Sequence, residues 1–404
     1  MKISTQVILL AIVNAFVGSL LGVERSIMPL IAEQVFGVKS GFVVLSFIVA
    51  FGLAKITMNY YGGKLAGRFG RKKLLVAGWI IGAFVPVLFI FAQNWYWLIA
   101  ANIILGIHQG LTWSMTLLMK IDQTDDSLRG KMVGLNEFSG YFALAISAFL
   151  SSLIAKEYGI FPYPFYLSAV IVFMGLVLSI FFVKDTTPPQ YQAVTNDEMT
   201  STKAYFACSV NCIIHAFTDK NQRTVIIGGL MNNLNDALAW GVFPLLLLKK
   251  GFDIGEIGVI AALYPMSWGA FQLLTGAWSD RVGRKPLMVS GMILQGIVLI
   301  LMANTEGYPI LVALSILLGF GTALVYPVFI AAIVDNAEPS QRAIQLGVYR
   351  FWRDSGFVIG AVISAILLQT TSVEITISVV GFLTILTGFF IQFQYNTFRV
   401  LSKA

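Results

Sequence analysis

Eight ionisable side chains lie inside long apolar stretches of this sequence. They are Glu24, Arg25, Lys55, Glu137, Asp236, Arg350, Arg353 and Asp354. A charged residue at the centre of a membrane-spanning helix costs about 2.5–3.5 kcal/mol on the milder insertion scales. Such residues therefore mark candidate sites for binding an ion or a solute, or pairs that neutralise each other within the protein.

Two of the carboxyl groups are the leading candidates for carrying a proton, Glu24 first and Asp236 second. Burial favours the neutral form of a carboxyl group and nearby cations favour the charged form, so alternating exposure could load and release a proton. Arg25 is not expected to pair with Glu24, because adjacent residues on a helix point in different directions. A purely structural role for both carboxyl groups remains the alternative.

Other polar residues in the apolar stretches are candidates for contacting a solute. Asn232, Asn235 and Asp236 share one helical face, which favours hydrogen bonding to a solute over simple helix contact. Asn102 and His108 are weaker candidates, since a lone histidine in a span is more often a packing residue. The expected cavity residues are Arg25, Asn102, His108, Glu137, Asn232, Asn235, Arg350 and Arg353.

The elements that must position these residues are membrane-spanning helices. The chain has 404 residues, of which 57% are hydrophobic and 12% charged, whereas soluble domains average about 25% charged. A span needs about 20 apolar residues, and twelve stretches qualify: 7–32, 41–60, 74–91, 96–118, 132–155, 164–183, 224–248, 257–276, 286–302, 309–334, 344–368 and 375–393. We expect an all-α membrane protein with a bundle at 1–183, a linker at 184–223 and a bundle at 224–404.

The distribution of lysine and arginine predicts the orientation. If the N-terminus is cytoplasmic, 19 of the 27 basic residues fall on the cytoplasmic side, four on the other side and four within spans. Basic residues gather on the cytoplasmic side of membrane proteins. We therefore expect a multi-pass protein of the cell membrane with both termini in the cytoplasm.

A glycine-rich basic segment occurs twice, 213 residues apart. It reads GKLAGRFGRK at 63–72 and GAWSDRVGRK at 276–285. The same offset relates Gly78 to Gly291 and Gly106 to Gly319. Internal repeats of this length indicate two versions of one helical unit, an architecture typical of transporters.

Two sets of six spans, a polar linker and this repeated segment resemble the major facilitator superfamily, whose motif runs G-x-L-a-D-R-x-G-R-K. The resemblance covers essentially the whole chain and implies a secondary transporter in which two bundles rock around a central site. It also implies that Arg68, Asp280 and Arg281 help to latch the halves on the cytoplasmic side. In the first copy, however, Gly67 replaces the aspartate.

The resemblance bears on coupling and gating as well. Asn102 stands where the family usually has an arginine associated with proton coupling, and the fifth span lacks a Gly-Pro signature, so a conventional drug–proton antiporter is less expected. In the family the second and eleventh spans are neighbours, which would let Lys55 and Asp354 pair as a gate or as a structural ion pair. A local pair between Arg350 and Asp354 is the alternative.

These observations predict a secondary-active transporter of a small organic solute, proton-coupled and more likely an exporter. An importer or uniporter of a small anionic or zwitterionic metabolite is the alternative, and a non-transporting membrane sensor is the alternative of another class. An enzyme is not expected, because no nucleophile–base set and no phosphate-binding loop is present. The expected partners are the solute, protons and the lipid bilayer, without nucleic acid, in a monomer.

No cofactor is expected, and no metal site either. Cys208, Cys212 and His215 share a face of an amphipathic helix predicted at 205–217 in the linker. A structural zinc site takes four ligands and this helix supplies only three. The linker helix is therefore expected to lie on the inner membrane surface without binding a metal.

Overall fold

The fold is built from α-helices, with no β-strand in the part of the chain that the computed structural model describes, residues 4–124, 129–186, 216–335 and 342–396. The first half comprises α1 (Thr5–Arg25), α2 (Met28–Gln34), α3 (Gly41–Phe69), α4 (Arg71–Gly82), α5 (Phe84–Ile90), α6 (Trp95–Asp122), α7 (Arg129–Tyr158) and α8 (Pro164–Phe181). The second half comprises α9 (Lys220–Gly241), α10 (Phe243–Lys249), α11 (Ile254–Val282), α12 (Arg284–Asn304), α13 (Tyr308–Asp335), α14 (Arg342–Thr370) and α15 (Val373–Gln394).

Ten of the predicted spans correspond to helices that are long and apolar enough to cross a membrane. The other two correspond to α6 and to α9 with α10, which carry amide and charged side chains in their middle turns, Asn102 and Asp236 among them. These polar residues lower the mean hydropathy of the two helices. The all-α membrane fold is confirmed, and its two least apolar spans are among those that carry the candidate site.

Three predicted spans are each divided into two helices, and a proline explains each break. Pro29, Pro86 and Pro244 lie near the starts of α2, α5 and α10. Proline has no backbone N–H, so the carbonyl group four residues earlier loses its helical hydrogen bond. For Pro29 and Pro244 those carbonyl groups belong to Arg25 and Trp240, which consequently lie at the two breaks.

The repeated segment is largely helical, which corrects its interpretation as a loop. Helix α3 continues to Phe69 and α11 to Val282, and in each case a single glycine makes the turn into the next helix. The turn residues are Gly70 with φ 86° and Gly283 with φ 97°, a backbone conformation that favours glycine. The repeated glycine spacing thus encodes a one-residue turn between two helices.

The two halves meet along two seams. In one seam α3 packs on α14, where a Cβ atom at Gly52 would lie 2.8 Å from Val358. In the other α7 packs on α11, where a Cβ atom at Gly258 would lie only 2.1 Å from the Cβ atom of Ser152. Glycine at such positions lets two backbones approach closely, as is common in membrane bundles.

The seams are tight at one end of the molecule and loose at the other. At the end opposite the termini, Lys156 Nζ lies 3.0 Å from Asp253 Oδ2 and joins α7 to the start of α11. At the end where α1 begins and α15 ends, which we call the termini end, Cβ atoms at Gly134 or Gly276 would meet no heavy atom of another described helix within 4 Å. The structure is therefore closed at the opposite end and loosened at the termini end.

The predicted linker helix lies largely outside the described residues, together with Cys208, Cys212 and His215. Of that segment the structure describes only Ala216 and Phe217, which lie in a turn. The Phe217 ring packs edge-on against Trp352 of α14 at 5.0 Å.

Candidate functional site

A carboxylate and a guanidinium group occupy the middle of the molecule where α1 ends. Glu24 Oε2 accepts a hydrogen bond of 2.8 Å from Asn102 Nδ2 of α6. Glu24 Oε1 lies 3.4 Å from Arg25 Nη1, close enough for an ion pair but without hydrogen-bond geometry. The expectation that Arg25 would point away from Glu24 is wrong, because the helix ends at Arg25 and the long side chain bends back.

The Arg25 guanidinium group lies between aromatic rings from both halves. Its central carbon is 4.6 Å from the ring centroid of Phe51 in α3 and 4.6 Å from that of Trp240 in α9. Phe47 contributes a third ring at 5.9 Å. The side chain is 2% exposed, and none of its three nitrogen atoms has a hydrogen-bond partner among the described residues. Cation–π contact holds the group in place while its N–H donors remain free.

A second buried carboxylate faces the seam from the other half. Asp236 Oδ1 accepts a hydrogen bond from the Tyr264 hydroxyl group, which lies 3.3 Å from the Thr322 hydroxyl group. Asp236 Oδ2 has no partner, and neither amide atom of Asn232 has one within the described ranges. We call Glu24, Arg25, Asn102, Asn232, Asp236 and Trp240 the central cluster.

A hydrogen-bond network crosses between the halves nearer the termini end. Glu137 Oε1 accepts a bond of 2.9 Å from Trp113 Nε1, and Glu137 Oε2 accepts one of 3.1 Å from the Tyr326 hydroxyl group in the second half. The Tyr326 hydroxyl group in turn accepts a bond of 2.9 Å from Arg353 Nη1. We call Trp113, Glu137, Tyr326, Arg353, Asp354 and Asn59 the crossing network.

The network continues to a second crossing point through Asp354. Arg353 donates to Asp354 Oδ1 from Nε at 2.8 Å and from Nη2 at 2.7 Å. Asn59 of α3 donates to Asp354 Oδ2 at 2.8 Å, which returns the network to the first half. Two hydrogen bonds, Glu137–Tyr326 and Asn59–Asp354, therefore tie one half to the other at this level.

The crossing network lies between the central cluster and the termini end. Glu24 and Asp236 are 0% exposed, whereas Glu137 is 6% and Arg353 8% exposed. The helix positions agree, because Glu137 is near the start of α7 and Tyr326 is in the last third of α13. Solvent at the loosened end thus reaches the crossing network first.

Two expected pairings of Asp354 are not found. Lys55 Nζ lies over the rings of Phe357 at 5.0 Å and Phe51 at 5.7 Å, and it makes no ion pair within 4 Å to a described residue. Arg353 takes the place next to Asp354 that Lys55 or Arg350 was expected to fill. Asn59, one helical turn after Lys55, supplies the contact between the halves instead.

Two other expected cavity residues face away from the seam. His108 Nδ1 lies 2.9 Å from the carbonyl oxygen of Gly78, and its ring packs on Trp79 at 4.6 Å, both in α4. Asn235 donates to Gln295 of α12 at 3.1 Å and accepts from Thr384 of α15 at 2.9 Å. Each residue joins its helix to outer helices of the same half, and a place for either in the solute cavity stays a prediction.

The expected latch around Asp280 does not join the halves in this structure. Asp280 Oδ1 pairs with Arg284 Nη1 at 2.6 Å, one turn along in the same half, and Arg68 and Arg281 are exposed. Arg284 Nε also lies 2.9 Å from Asp335 Oδ2 at the end of α13. The ion pairs of Arg284 therefore hold the turn at Gly283 to helices of its own half.

The first half repeats this fastening with the same 213-residue offset. Arg71 forms an ion pair with Asp122 at the end of α6, just as Arg284 does with Asp335. The sequence carried this signal, since both partners keep the offset of the repeat.

Several residues of the site were missed in the sequence. Tyr264, Tyr326 and Trp240 were not among the candidate residues, yet each is buried at the seam. Lys120 was assigned to a cytoplasmic loop, whereas α6 extends to Asp122 and buries Lys120 completely. Its Nζ donates to Asn136 Oδ1 at 2.7 Å, beside Glu137. The described residues hold no group of three His, Cys, Asp or Glu that could bind a metal ion.

Comparison with known proteins supports one family. A sequence model described as Major Facilitator Superfamily matches residues 7–218 and 225–397. The multidrug resistance protein MdtG of Proteus mirabilis (strain HI4320) is 25% identical over 328 residues, covering 80% of this chain and 77% of that protein. MdtG of Salmonella typhimurium is 24% identical with the same coverage.

Solved structures agree on the fold. The crystal structure of the nucleoside transporter NupG has a TM-score of 0.74 at 14% identity, covering 97% of this chain and all of that one. A POT family transporter in complex with 5-aminolevulinic acid also has a TM-score of 0.74, at 13% identity, covering 96% and 95% of the two chains.

Proposed function

Because the chain belongs to the major facilitator superfamily and is a secondary transporter, we propose that it exports a small organic solute in exchange for protons. The solute would bind at the central cluster and be exposed to one side of the membrane at a time as the halves rock. The names of the MdtG relatives favour export. The halves would correspond to residues 1–183 and 224–404, joined by a cytoplasmic linker.

The observation that carries the proposal is the pair of buried carboxylates at the seam. Glu24 and Asp236 each retain one oxygen atom without a hydrogen-bond partner in the described part of the chain, and they come from opposite halves. A carboxylate in such a place exchanges its proton when the environment changes from closed to open. Rocking of the halves would expose it first to one compartment and then to the other, which is what proton coupling requires.

The topology proposed with this function places both termini in the cytoplasm of a cell-membrane protein that acts as a monomer. The excess of basic residues in the segments near the termini end supports this orientation. In that orientation the structure is closed toward the outside. The crossing network then separates the central cluster from the cytoplasm.

Flux into proteoliposomes under an imposed pH gradient tests the coupling. Glu24→Gln should abolish gradient-driven flux but retain solute exchange, since exchange needs no net proton movement. If Asp236 is the second coupling group, Asp236→Asn should likewise abolish gradient-driven flux and retain solute exchange. The matched control is Glu33→Gln, an exposed glutamate in α2 that should behave as wild type.

Unchanged driven flux in both Glu24→Gln and Asp236→Asn would refute coupling through these carboxylates. The runner-up function, import or facilitated diffusion of a small anionic or zwitterionic metabolite, is favoured by the guanidinium group of Arg25, whose nitrogen atoms have no hydrogen-bond partner among the described residues. It predicts flux that an outward proton gradient does not enhance.

A further inference from the structure

We propose that Arg25 binds an anionic group of the transported solute, a carboxylate, phosphonate or phosphate, while an apolar part of the solute packs on the neighbouring rings. This inference rests on the proposed function in one respect, that the bound molecule is the one transported. It assigns a ligand chemistry to one residue of the central cluster.

The first argument is the unmet hydrogen-bonding capacity of the guanidinium group. Arginine offers five N–H donors and accepts nothing. Within the described residues none of its three nitrogen atoms makes a hydrogen bond, although the side chain is buried. Buried donors without partners are costly, so the site favours a ligand rich in acceptor oxygens. Carboxylate and phosphate groups meet this need because they accept two parallel bonds from one arginine.

The second argument is the aromatic wall beside the guanidinium group. Trp240 stacks on Phe357 with a ring-centroid distance of 5.2 Å and an interplanar angle of 14°. Trp240 Nε1 also has no hydrogen-bond partner and could donate to the same anion. A ligand held here would touch α1 in the first half and α9 in the second, so its binding would bridge the two halves.

At the Arg25 side of the central cluster, an anion fits better than a cation does. A cation that approached Glu24 would be repelled by Arg25, because Arg25 Nη1 already lies 3.4 Å from Glu24 Oε1. The other carboxylate oxygen already accepts a bond from Asn102. An arriving anion would instead share Arg25 with Glu24, which leaves Glu24 with less neutralising charge and ready to take a proton.

Thermal unfolding of the purified full-length protein in detergent tests the inference with four probes. Benzoate and benzylphosphonate carry an anion on an aromatic ring, benzamide is neutral, and benzylamine is a cation. We expect the two anions to raise the unfolding temperature and the other two to leave it unchanged. Equal stabilisation by benzamide, stabilisation by benzylamine instead, or no stabilisation by either anion would overturn the inference.

Variants make the test specific to Arg25. Arg25→Gln should weaken benzoate binding at least about thirtyfold, the range for truncating a buried charged partner. Arg25→Lys keeps the charge but loses the two-pronged geometry, so it should also weaken binding. Lys73→Gln removes one charge from an exposed position and should bind as wild type. Trp240→Phe keeps a six-membered aromatic ring but removes the pyrrole ring with its N–H group, so it should also weaken benzoate binding. This variant leaves Arg25 intact and therefore does not depend on folding of the Arg25 variants. Wild-type affinity in these Arg25 and Trp240 variants would contradict the inference.

The outcomes separate this inference from the proposed function. If benzoate binds through Arg25 but no anion is moved in proteoliposomes, the anion site stands and the transport proposal fails. If solutes are transported and Arg25→Gln leaves the flux unchanged, the transport proposal stands and the anion site fails.

Discussion

Tyr326→Phe removes one hydroxyl group from the crossing network and leaves the ring in place. That hydroxyl group donates to Glu137 Oε2 across the seam and accepts from Arg353 within the second half. The ring would still pack on Trp268 at 5.0 Å. The substitution therefore tests the hydrogen bond between the halves with little change in packing.

The expected size follows from which bond breaks when the halves rock. The Arg353–Tyr326 bond stays within one half, so its loss affects closed and open states alike. The Glu137–Tyr326 bond joins the halves, and a hydrogen bond to a charged group contributes about 1.5–3 kcal/mol. Opening toward the termini end should therefore become about 10- to 150-fold more favourable in the variant.

The assay is labelling of a single cysteine with a membrane-impermeant maleimide. Cys208 and Cys212 are first replaced by serine, and Ala239→Cys places a thiol on the face of α9 that carries Asn232 and Asp236. In membrane vesicles that expose the termini end, Tyr326→Phe should label about 10- to 150-fold faster than the parent at low maleimide concentration, where labelling is slower than closing and its rate follows the open population. The matched control is Tyr349→Phe, because the Tyr349 hydroxyl group is buried but has no hydrogen-bond partner among the described residues.

Labelling of Tyr326→Phe at the parent rate would refute the assignment of the crossing network as the barrier on this side. Equal acceleration in Tyr349→Phe would show that loss of any buried hydroxyl group loosens the second half, and it would refute the reasoning in the same way.

Two further predictions concern packing and fastening. Gly258→Leu should hold the opposite end open, because its Cβ atom would lie 2.1 Å from that of Ser152. Labelling of Ala239→Cys from that side of the membrane should therefore become faster. Gly307→Leu is the control, since a Cβ atom there has its nearest neighbour 3.6 Å away and labelling should not change. Asp122→Asn should lower thermal stability more than Asp335→Asn, since their side chains are 11% and 49% exposed. Breaking a largely buried pair costs about 3–5 kcal/mol and an exposed one about 1 kcal/mol or less; equal losses in thermal unfolding would contradict this.

The sequence predicted the helices and the repeat well because both depend on local patterns. Apolar length located the spans, and basic residues with glycine marked the two turns. Even the fastening of Arg71 to Asp122 and of Arg284 to Asp335 follows the 213-residue offset. The break after Arg25 could also have been predicted, since Pro29 removes one hydrogen bond at a fixed distance along the chain.

Partners across the seam could not be read from the sequence, because they depend on how each helix is rotated. Lys55 and Asn59 share a face of α3, so an axial shift of about one turn decides which of them meets Asp354, whereas a rotation of about 100° decides whether His108 faces the seam or α4. Composition could not distinguish Tyr326 and Trp240 from the other aromatic residues, since aromatic residues suit lipid, helix contacts and binding sites equally well. Charge marked a candidate region, and only the packing assigned its partners.

The central claim is that a solute is carried through the cluster at Glu24 and Arg25, and solute counterflow tests it most directly. Proteoliposomes loaded with unlabelled solute are diluted into labelled solute, and a carrier gives a transient overshoot of label inside. We predict an overshoot in wild type and in Glu24→Gln, and none in Arg25→Gln. Absence of overshoot for every solute that stabilises the protein, or an overshoot unchanged by Arg25→Gln, would contradict the account.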